Sequence, residues 1–234
     1  MRFIKEDIGK NDADCAEDAV RSTVLLEQRI DAILDRVREL PADAEMEKAS
    51  LNVDAATLLL DLERGKESWD LARAALEPLL AHQQWELAAQ ACLILFQADQ
   101  PESMAALGHA IWLSVTFPMD PELTVAILQQ VVDETPDDSD GAAVAAVVAH
   151  YVADMRAQGK QRDDLLFFTN NLIGAVARRH GDVSTQEKFD AWFERLELND
   201  PEKFLVRLRN IVDVMVQDDW WIDRDALHAQ LPVS

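Results

Sequence analysis

Apolar residues recur at helical spacing along the chain, and no segment shows the sustained alternation that is typical of a β-strand. The pattern predicts helices joined by short connections, as between antiparallel neighbours. The predicted helices cover residues 13–40, 43–64, 67–82, 84–98, 102–116, 121–134, 140–158, 162–180, 184–196, 201–218 and 223–230. We therefore predict an all-α fold, arranged as an antiparallel helical array with a C-terminal helical module.

Local residue patterns predict where several helices begin and end. Pro-Glu steps predict three helix starts: Pro101-Glu102, Pro121-Glu122 and Pro201-Glu202. Asp120 and Asp200 precede two of these steps and are expected to act as N-caps. Ser184-Thr185-Gln186-Glu187 has the pattern of a capping box. Glycines predict three helix ends: Gly65, Gly159 and Gly181.

The first predicted helix carries one continuous seam at 3-4-3-4 spacing. Its positions are Thr23, Leu26, Ile30, Ile33, Val37 and Leu40. A second copy of the chain could pack against this seam and form a homodimer through residues 23–40. The next helix of the same chain could cover it equally well. Both uses of the seam remain open at this point.

Two segments in the middle of the chain share an aromatic residue, a small residue and a packing residue at the same spacing. They are Trp69-x-x-Ala72-x-x-x-Leu76 and Trp85-x-x-Ala88-x-x-x-Cys92, and Pro101 follows the second. Leu107-Gly108-x-x-Ile111 adds a further small-residue pattern. A small residue lets two helices approach closely, and the bulky residue fills the next groove. Over about residues 43–158 the chain resembles the tetratricopeptide family of α-solenoid repeats.

The repeat length departs from that family. The helix around Leu107 matches the helix around Val147 at an offset of 40 residues, whereas the family repeats every 34. The resemblance implies a helical array with a concave groove that holds a partner peptide or domain. We divide the chain into a long N-terminal helix (1–41), an acidic repeat-like region (42–158) and a C-terminal helical module (159–234), which could all form one domain.

Charge is distributed unevenly along the chain. The protein has 22 basic and 44 acidic residues, for a net charge of −22. Residues 41–155 contain 20 acidic and 4 basic side chains, whereas residues 156–209 contain 9 and 10. The middle region therefore predicts a surface that attracts a protein with a basic surface, and it argues against duplex nucleic acid and anionic membranes as partners. A salt-adapted composition is the alternative explanation of the acidity.

The near-neutral C-terminal module has aromatic residues at core spacing, such as Phe189, Trp192 and Phe193. We expect it to dock on the acidic array, in the same chain or in a second copy.

No sequence motif for catalysis, a cofactor or a metal is found. The chain lacks GxSxG, P-loop, GxGxxG, HExxH and Glu-x-x-His patterns. Asp225-x-x-His228 has the spacing of metal ligands but stands alone. The acidic run at 218–223 resembles an Asp-rich magnesium motif, but the chain lacks the second such motif that the site would need. We therefore predict no catalytic residues, no cofactor and no metal site.

Five residues are candidates for contact with a partner. His109, Trp112 and Thr116 fall on one edge of their predicted helix, so Trp112 is expected to border a groove. Trp220 and Trp221 are adjacent, and on a helix they would diverge by about 100°, so one of them is expected to be available for contact. His109 and His150 are 41 residues apart, one more than the repeat offset, and are not expected to be equivalent.

The predicted function is non-catalytic protein binding, as an adaptor, scaffold or assembly chaperone. An all-α enzyme with a dispersed carboxylate site is the alternative, and an acidic mimic of nucleic acid is a third, less favoured reading. Cys15 and Cys92 form no CxxC pair, and the N-terminal residues lack the apolar run of a signal peptide. These features predict a cytoplasmic protein with reduced thiols.

Overall fold

The computed structural model describes the backbone of residues 8–231 and the side chains of residues 22–231. Within this range the protein is all-helical without any strand, which confirms the predicted all-α array. The helices are α1 (Ile8–Glu39), α2 (Glu45–Asp61), α3 (Gly65–Ala81), α4 (Trp85–Gln97), α5 (Ser103–Thr116), α6 (Pro121–Glu134), α7 (Asp140–Arg156), α8 (Gly159–Gly181), α9 (Gln186–Arg195), α10 (Pro201–Val216) and α11 (Arg224–His228).

Two of the predicted N-caps are confirmed. The side chains of Asp120 and Asp200 accept hydrogen bonds from the backbone N–H two residues further on, and proline occupies the first turn of each helix. The capping-box prediction is off by one residue, because Thr185, not Ser184, is the N-cap and accepts from the Lys188 N–H. The start predicted at Pro101 is also wrong, since α5 begins at Ser103.

Two of the three glycine predictions are wrong. Gly65 and Gly159 are the first residues of α3 and α8, not helix ends. A Cβ on Gly65 would lie 2.5 Å from the Ala98 carbonyl oxygen, so this glycine allows close contact between two connections. The turn out of α2 is made instead by Glu63, at φ 56°. Gly181 ends α8 as predicted.

Successive connections of the array use the same backbone turn. Glu63, Gln83 and Asp99 follow α2, α3 and α4, and all three have left-handed φ values between 51° and 56°. After α2 and α3, a backbone N–H bonds to the carbonyl five residues earlier, as in a Schellman motif. Because the connections are alike, consecutive helices fold back on each other in a repeated way.

Small residues allow consecutive helices to pack closely. In both tryptophan motifs the alanine at +3 and the residue at +7 are buried: Ala72, Leu76, Ala88 and Cys92. Consecutive helices contact each other from α1 to α8, with the α5–α6 contact the smallest, and one continuous core extends from Ala49 to Leu227. Cys92 is a free thiol in this core, and burial raises its pKa to about 12. The side chain of Cys15 lies outside the described residues.

The seam of α1 packs against α2 of the same chain. Ile30 is only 2% exposed, and the Arg36 guanidinium bonds to Glu47 of α2 at 2.6 Å. Val24 and Leu25, at the N-terminal end of the described side chains, remain 44% and 65% exposed. Of the two uses that the sequence leaves open, the structure therefore contains the intramolecular one.

The C-terminal module packs on the array, as expected, and does so within the same chain. Helix α10 crosses α5 and α7, and the segment after it contacts α3 and α5. The face formed by α3, α5 and α7 is therefore covered by the protein's own C-terminal residues, where the resemblance to tetratricopeptide repeats implies an open groove.

Candidate functional site

Helix α10 of the C-terminal module passes close to Gly108 of α5. A Cβ at this position would lie 2.4 Å from Cγ2 of Val216 and 3.3 Å from Cβ of Met215, both on α10. Glycine is therefore needed for α10 to cross α5 at this distance. The crossing determines where the next residues of both helices lie.

His109 is fully buried beside this crossing. Its Nδ1 donates to the Ala105 carbonyl at 2.6 Å, so Nε2 is free to accept the backbone N–H of Trp221 at 2.9 Å. Burial lowers the pKa of His109 to about 4, which keeps the ring neutral and suited to both bonds. The sequence indicates His109 as a contact residue, but in this structure it lies in the core and holds the C-terminal segment.

The two adjacent tryptophans both contact His109. The Trp221 ring stacks on His109 with centroids 4.5 Å apart, and the Trp220 ring meets it edge-on at 5.1 Å. The divergence expected on a helix does not apply, because residues 217–223 lie between α10 and α11 and are not helical. Both indoles are half-buried.

A guanidinium group lies over each of these indoles. Arg73 of α3 lies 4.6 Å from the Trp221 ring, and Arg224 lies 3.9 Å from the Trp220 ring. Cations at this distance from an aromatic face are attracted to it. Trp69 adds an edge contact to Trp221 at 5.9 Å. These aromatic and cation–π contacts therefore hold residues 220–224 against α3 and α5.

Trp112 and Thr116, both half-buried, line a cavity of about 330 Å³ between α5, α10 and α11. Trp112 therefore borders a groove in the folded chain. Six aliphatic residues form most of the wall: Ile111, Val115, Leu205, Leu208, Val212 and Leu231. Among the described lining residues the charged or titratable ones are Arg209, Arg224 and His228, and none is Asp or Glu.

Sequence reasoning missed the three basic residues of this cavity. Trp112 is distant in sequence from Arg209, Arg224 and His228, and no local pattern links it to any of them. Their presence follows only from the crossing of α10 over α5 and the return of α11, where the His228 ring meets Trp112 at 5.4 Å. A second cavity, of about 470 Å³, lies between α3 and the C-terminal segment; it is more polar, and Arg73, Glu77 and Asp223 are among its lining residues.

The other candidate motifs have structural roles. Asp223 is the N-cap of α11 and accepts from the Ala226 N–H, while Asp225 lies in the first turn. His150 is half-buried and its Nδ1 lies 2.9 Å from the Thr169 hydroxyl, so its surroundings differ from those of His109, as expected. Burial also lowers the pKa of His150.

Two kinds of feature are absent from the described part of the chain. No group of three His, Cys, Asp or Glu side chains among those described is arranged to hold a metal ion. No described helix has the length and apolar character needed to cross a bilayer.

Comparison with known proteins adds no family to this picture. The chain matches no protein-family model, no curated protein and no solved structure. The fold and the site therefore define a class only: an all-helical array, closed on one face by its own C-terminal module, with an apolar cavity at the junction.

Proposed function

We propose that this protein is a non-catalytic protein-binding protein, which attracts a partner with a basic surface to the acidic surface of α2–α7. One observation carries the proposal: all 20 acidic side chains of residues 41–155 are exposed. Six of them have a cationic partner: Glu47, Glu67, Asp70, Asp137, Asp140 and Asp154. The other carboxylates of this region make no ion pair with the described residues.

Unpaired carboxylates on one surface repel each other, and a cationic partner relieves this repulsion. Between Arg73 and Arg156 the chain contains no Lys or Arg, and among the described residues the arginines after Arg156 pair with only three acids of the region: Asp137, Asp140 and Asp154. Charges of one sign also accelerate encounter with an oppositely charged protein, and salt screens the effect over about 10 Å at 0.1 M. The proposal therefore predicts partner binding that weakens steeply with ionic strength.

The enzyme alternative requires carboxylates gathered in a deep pocket, where their pKa values would be perturbed. Among residues 22–231, no Asp or Glu is buried. Glu67 has a lowered pKa because Arg64 hydrogen-bonds its carboxylate at the surface. Nothing in this arrangement favours proton transfer over binding.

The experiment is affinity capture from an extract of the source organism at low and high salt, with a charge-neutralised variant. The variant replaces four exposed acids near the contact between Gly65 and Ala98: Asp61→Asn, Glu63→Gln, Asp99→Asn and Glu102→Gln. We expect the wild-type protein to retain one specific partner at low salt and to lose it at high salt. The variant should bind that partner at least about tenfold more weakly at low salt.

The matched control neutralises four exposed acids outside the acidic region: Asp163→Asn, Asp164→Asn, Glu194→Gln and Asp218→Asn. It changes the net charge equally and should retain the partner. If both quadruple variants bind like the wild type, the acidity is a matter of composition and the proposal is wrong. Absence of any captured partner at either salt concentration would also contradict it.

We further propose a cytoplasmic location for the protein. Cys92 is a free, buried thiol, which is compatible with a reducing compartment. Secretion with an intermolecular disulfide would contradict this location, and fractionation of the native cells tests it directly.

A further inference from the structure

The cavity between α5, α10 and α11 differs in charge from the rest of the protein. In a chain with twice as many acidic as basic residues, the part of its wall that the structure describes contains Arg209, Arg224 and His228 and no Asp or Glu. The site is independent of the acidic surface on which the proposed function rests, so each can fail without the other.

Arg209 supplies an uncompensated positive charge at this cavity. The Arg224 guanidinium is paired with Asp213 at 3.1 Å and lies over Trp220. Arg209 is exposed, and it makes no ion pair or hydrogen bond with the residues that the structure describes. The cavity therefore matches a ligand with one negative charge better than a dianion such as a phosphate monoester.

The rest of the cavity wall indicates the chemistry of the uncharged part of the ligand. Aliphatic side chains from both α5 and α10 line the cavity, together with the indole of Trp112. Apart from the three basic side chains and the indole N–H, Thr116 is the one polar side chain among the described lining residues, which leaves few acceptors for the hydroxyl groups of a sugar or a nucleoside. A volume of about 330 Å³ is at the small end of the range for small-molecule sites.

We propose that this cavity binds a medium-chain fatty acid, with the acyl chain between α5 and α10 and the carboxylate at Arg209. The walls remove the chain from water, and the guanidinium forms a charge-assisted hydrogen bond with the carboxylate. Burial of each additional methylene group strengthens binding about fourfold until the cavity is filled.

The test is calorimetric titration of the full chain with octanoate, decanoate and 1-octanol at neutral pH. We expect one octanoate per chain, tighter binding of decanoate by up to about fifteenfold, and weaker binding of 1-octanol. Arg209→Gln should weaken octanoate binding about tenfold and leave 1-octanol binding unchanged. The control Arg195→Gln, an exposed arginine on α9 outside the cavity, should bind octanoate like the wild type.

A second variant tests the location independently of charge. Thr116→Phe places a ring in the cavity and should abolish binding of all three compounds, with folding checked by circular dichroism. Octanol binding as tight as octanoate, wild-type affinity in Arg209→Gln, or no saturable binding at millimolar concentration would each overturn the proposal. If Thr116→Phe fails to fold, the comparison of Arg209→Gln with Arg195→Gln still decides the outcome.

Discussion

Replacing Gly108 by alanine tests whether the α5–α10 crossing holds the C-terminal module in place. In an ordinary helix interior this change stabilises by about 1 kcal/mol, because alanine is the better helix former. Here the new Cβ would lie 2.4 Å from Cγ2 of Val216, a β-branched side chain with little rotamer freedom, and 3.3 Å from Cβ of Met215. Overpacking costs about 1–3 kcal/mol, and an approach of 2.4 Å to a stiff side chain belongs in the upper part of that range, at about 2–3 kcal/mol. After the gain in helix propensity is subtracted, we expect a net destabilisation of about 1–2 kcal/mol.

A double-mutant cycle with Val216→Ala separates this clash from other effects. Val216→Ala alone should destabilise by about 2 kcal/mol, since it removes two buried methyl groups and leaves a cavity. In the double variant the methyl group introduced at position 108 enters the vacated space, so the two effects should fall short of additivity by at least about 1 kcal/mol. The free energy of unfolding is measured by urea denaturation followed by circular dichroism.

Gly174→Ala is the matched control for this cycle. Gly174 also lies inside a helix, but the nearest atom to a Cβ at this position would be the flexible Nη1 of Arg178, at 3.5 Å. This substitution should therefore stabilise by up to about 1 kcal/mol. A Gly108→Ala variant as stable as the wild type, or full additivity with Val216→Ala, would refute the close crossing.

Three further predictions follow from other residues. Burial lowers the folded-state pKa of His109 to about 4, below its ordinary value of 6.5. Between these two pH values the unfolded chain binds the proton more readily than the folded chain, so protonation favours unfolding. The contribution of His109 should therefore make the protein about 2 kcal/mol less stable at pH 5 than at pH 7. His109→Gln should flatten this dependence in urea titrations across the same range. Glu63→Gly should stabilise the protein by about 0.5 kcal/mol, since it relieves left-handed strain at φ 56°. The control Glu77→Gly, inside α3, should destabilise the protein by about 1 kcal/mol. Urea denaturation measures both free energies of unfolding. The buried Cys92 thiol, with its pKa raised to about 12, should resist alkylation in the native protein and react on unfolding, as measured by peptide mass spectrometry.

The helices and some of their ends could be predicted because their causes are local. Asp120 and Asp200 stand directly before a Pro-Glu step, and the capping bond is made within two residues. Gly65 could not be assigned in this way, because its role depends on the carbonyl of Ala98, which only the folded array brings near. A glycine that ends a helix and one that allows a close approach look the same in sequence.

Only the wall of the candidate site that carries Trp112 could be predicted from the sequence. The position of Trp112 on its helix indicates a groove edge, since helical periodicity alone decides which residues share a face. The opposite wall comes from α10 and α11, and its placement depends on the long-range crossing at Gly108. Helical geometry predicts that Trp220 and Trp221 diverge, whereas an irregular connection brings both to His109.

The closure of the array by its own C-terminus has a consequence for biosynthesis. The bond between His109 and Trp221 joins residues 112 positions apart, whereas the helices of the array pair with their immediate neighbours. At about 5–20 residues per second, the ribosome needs on the order of 10 s to make the chain between them. During this interval the apolar face of α3, α5 and α7 has no cover, and a nascent chain in that state is a substrate for chaperones or for aggregation.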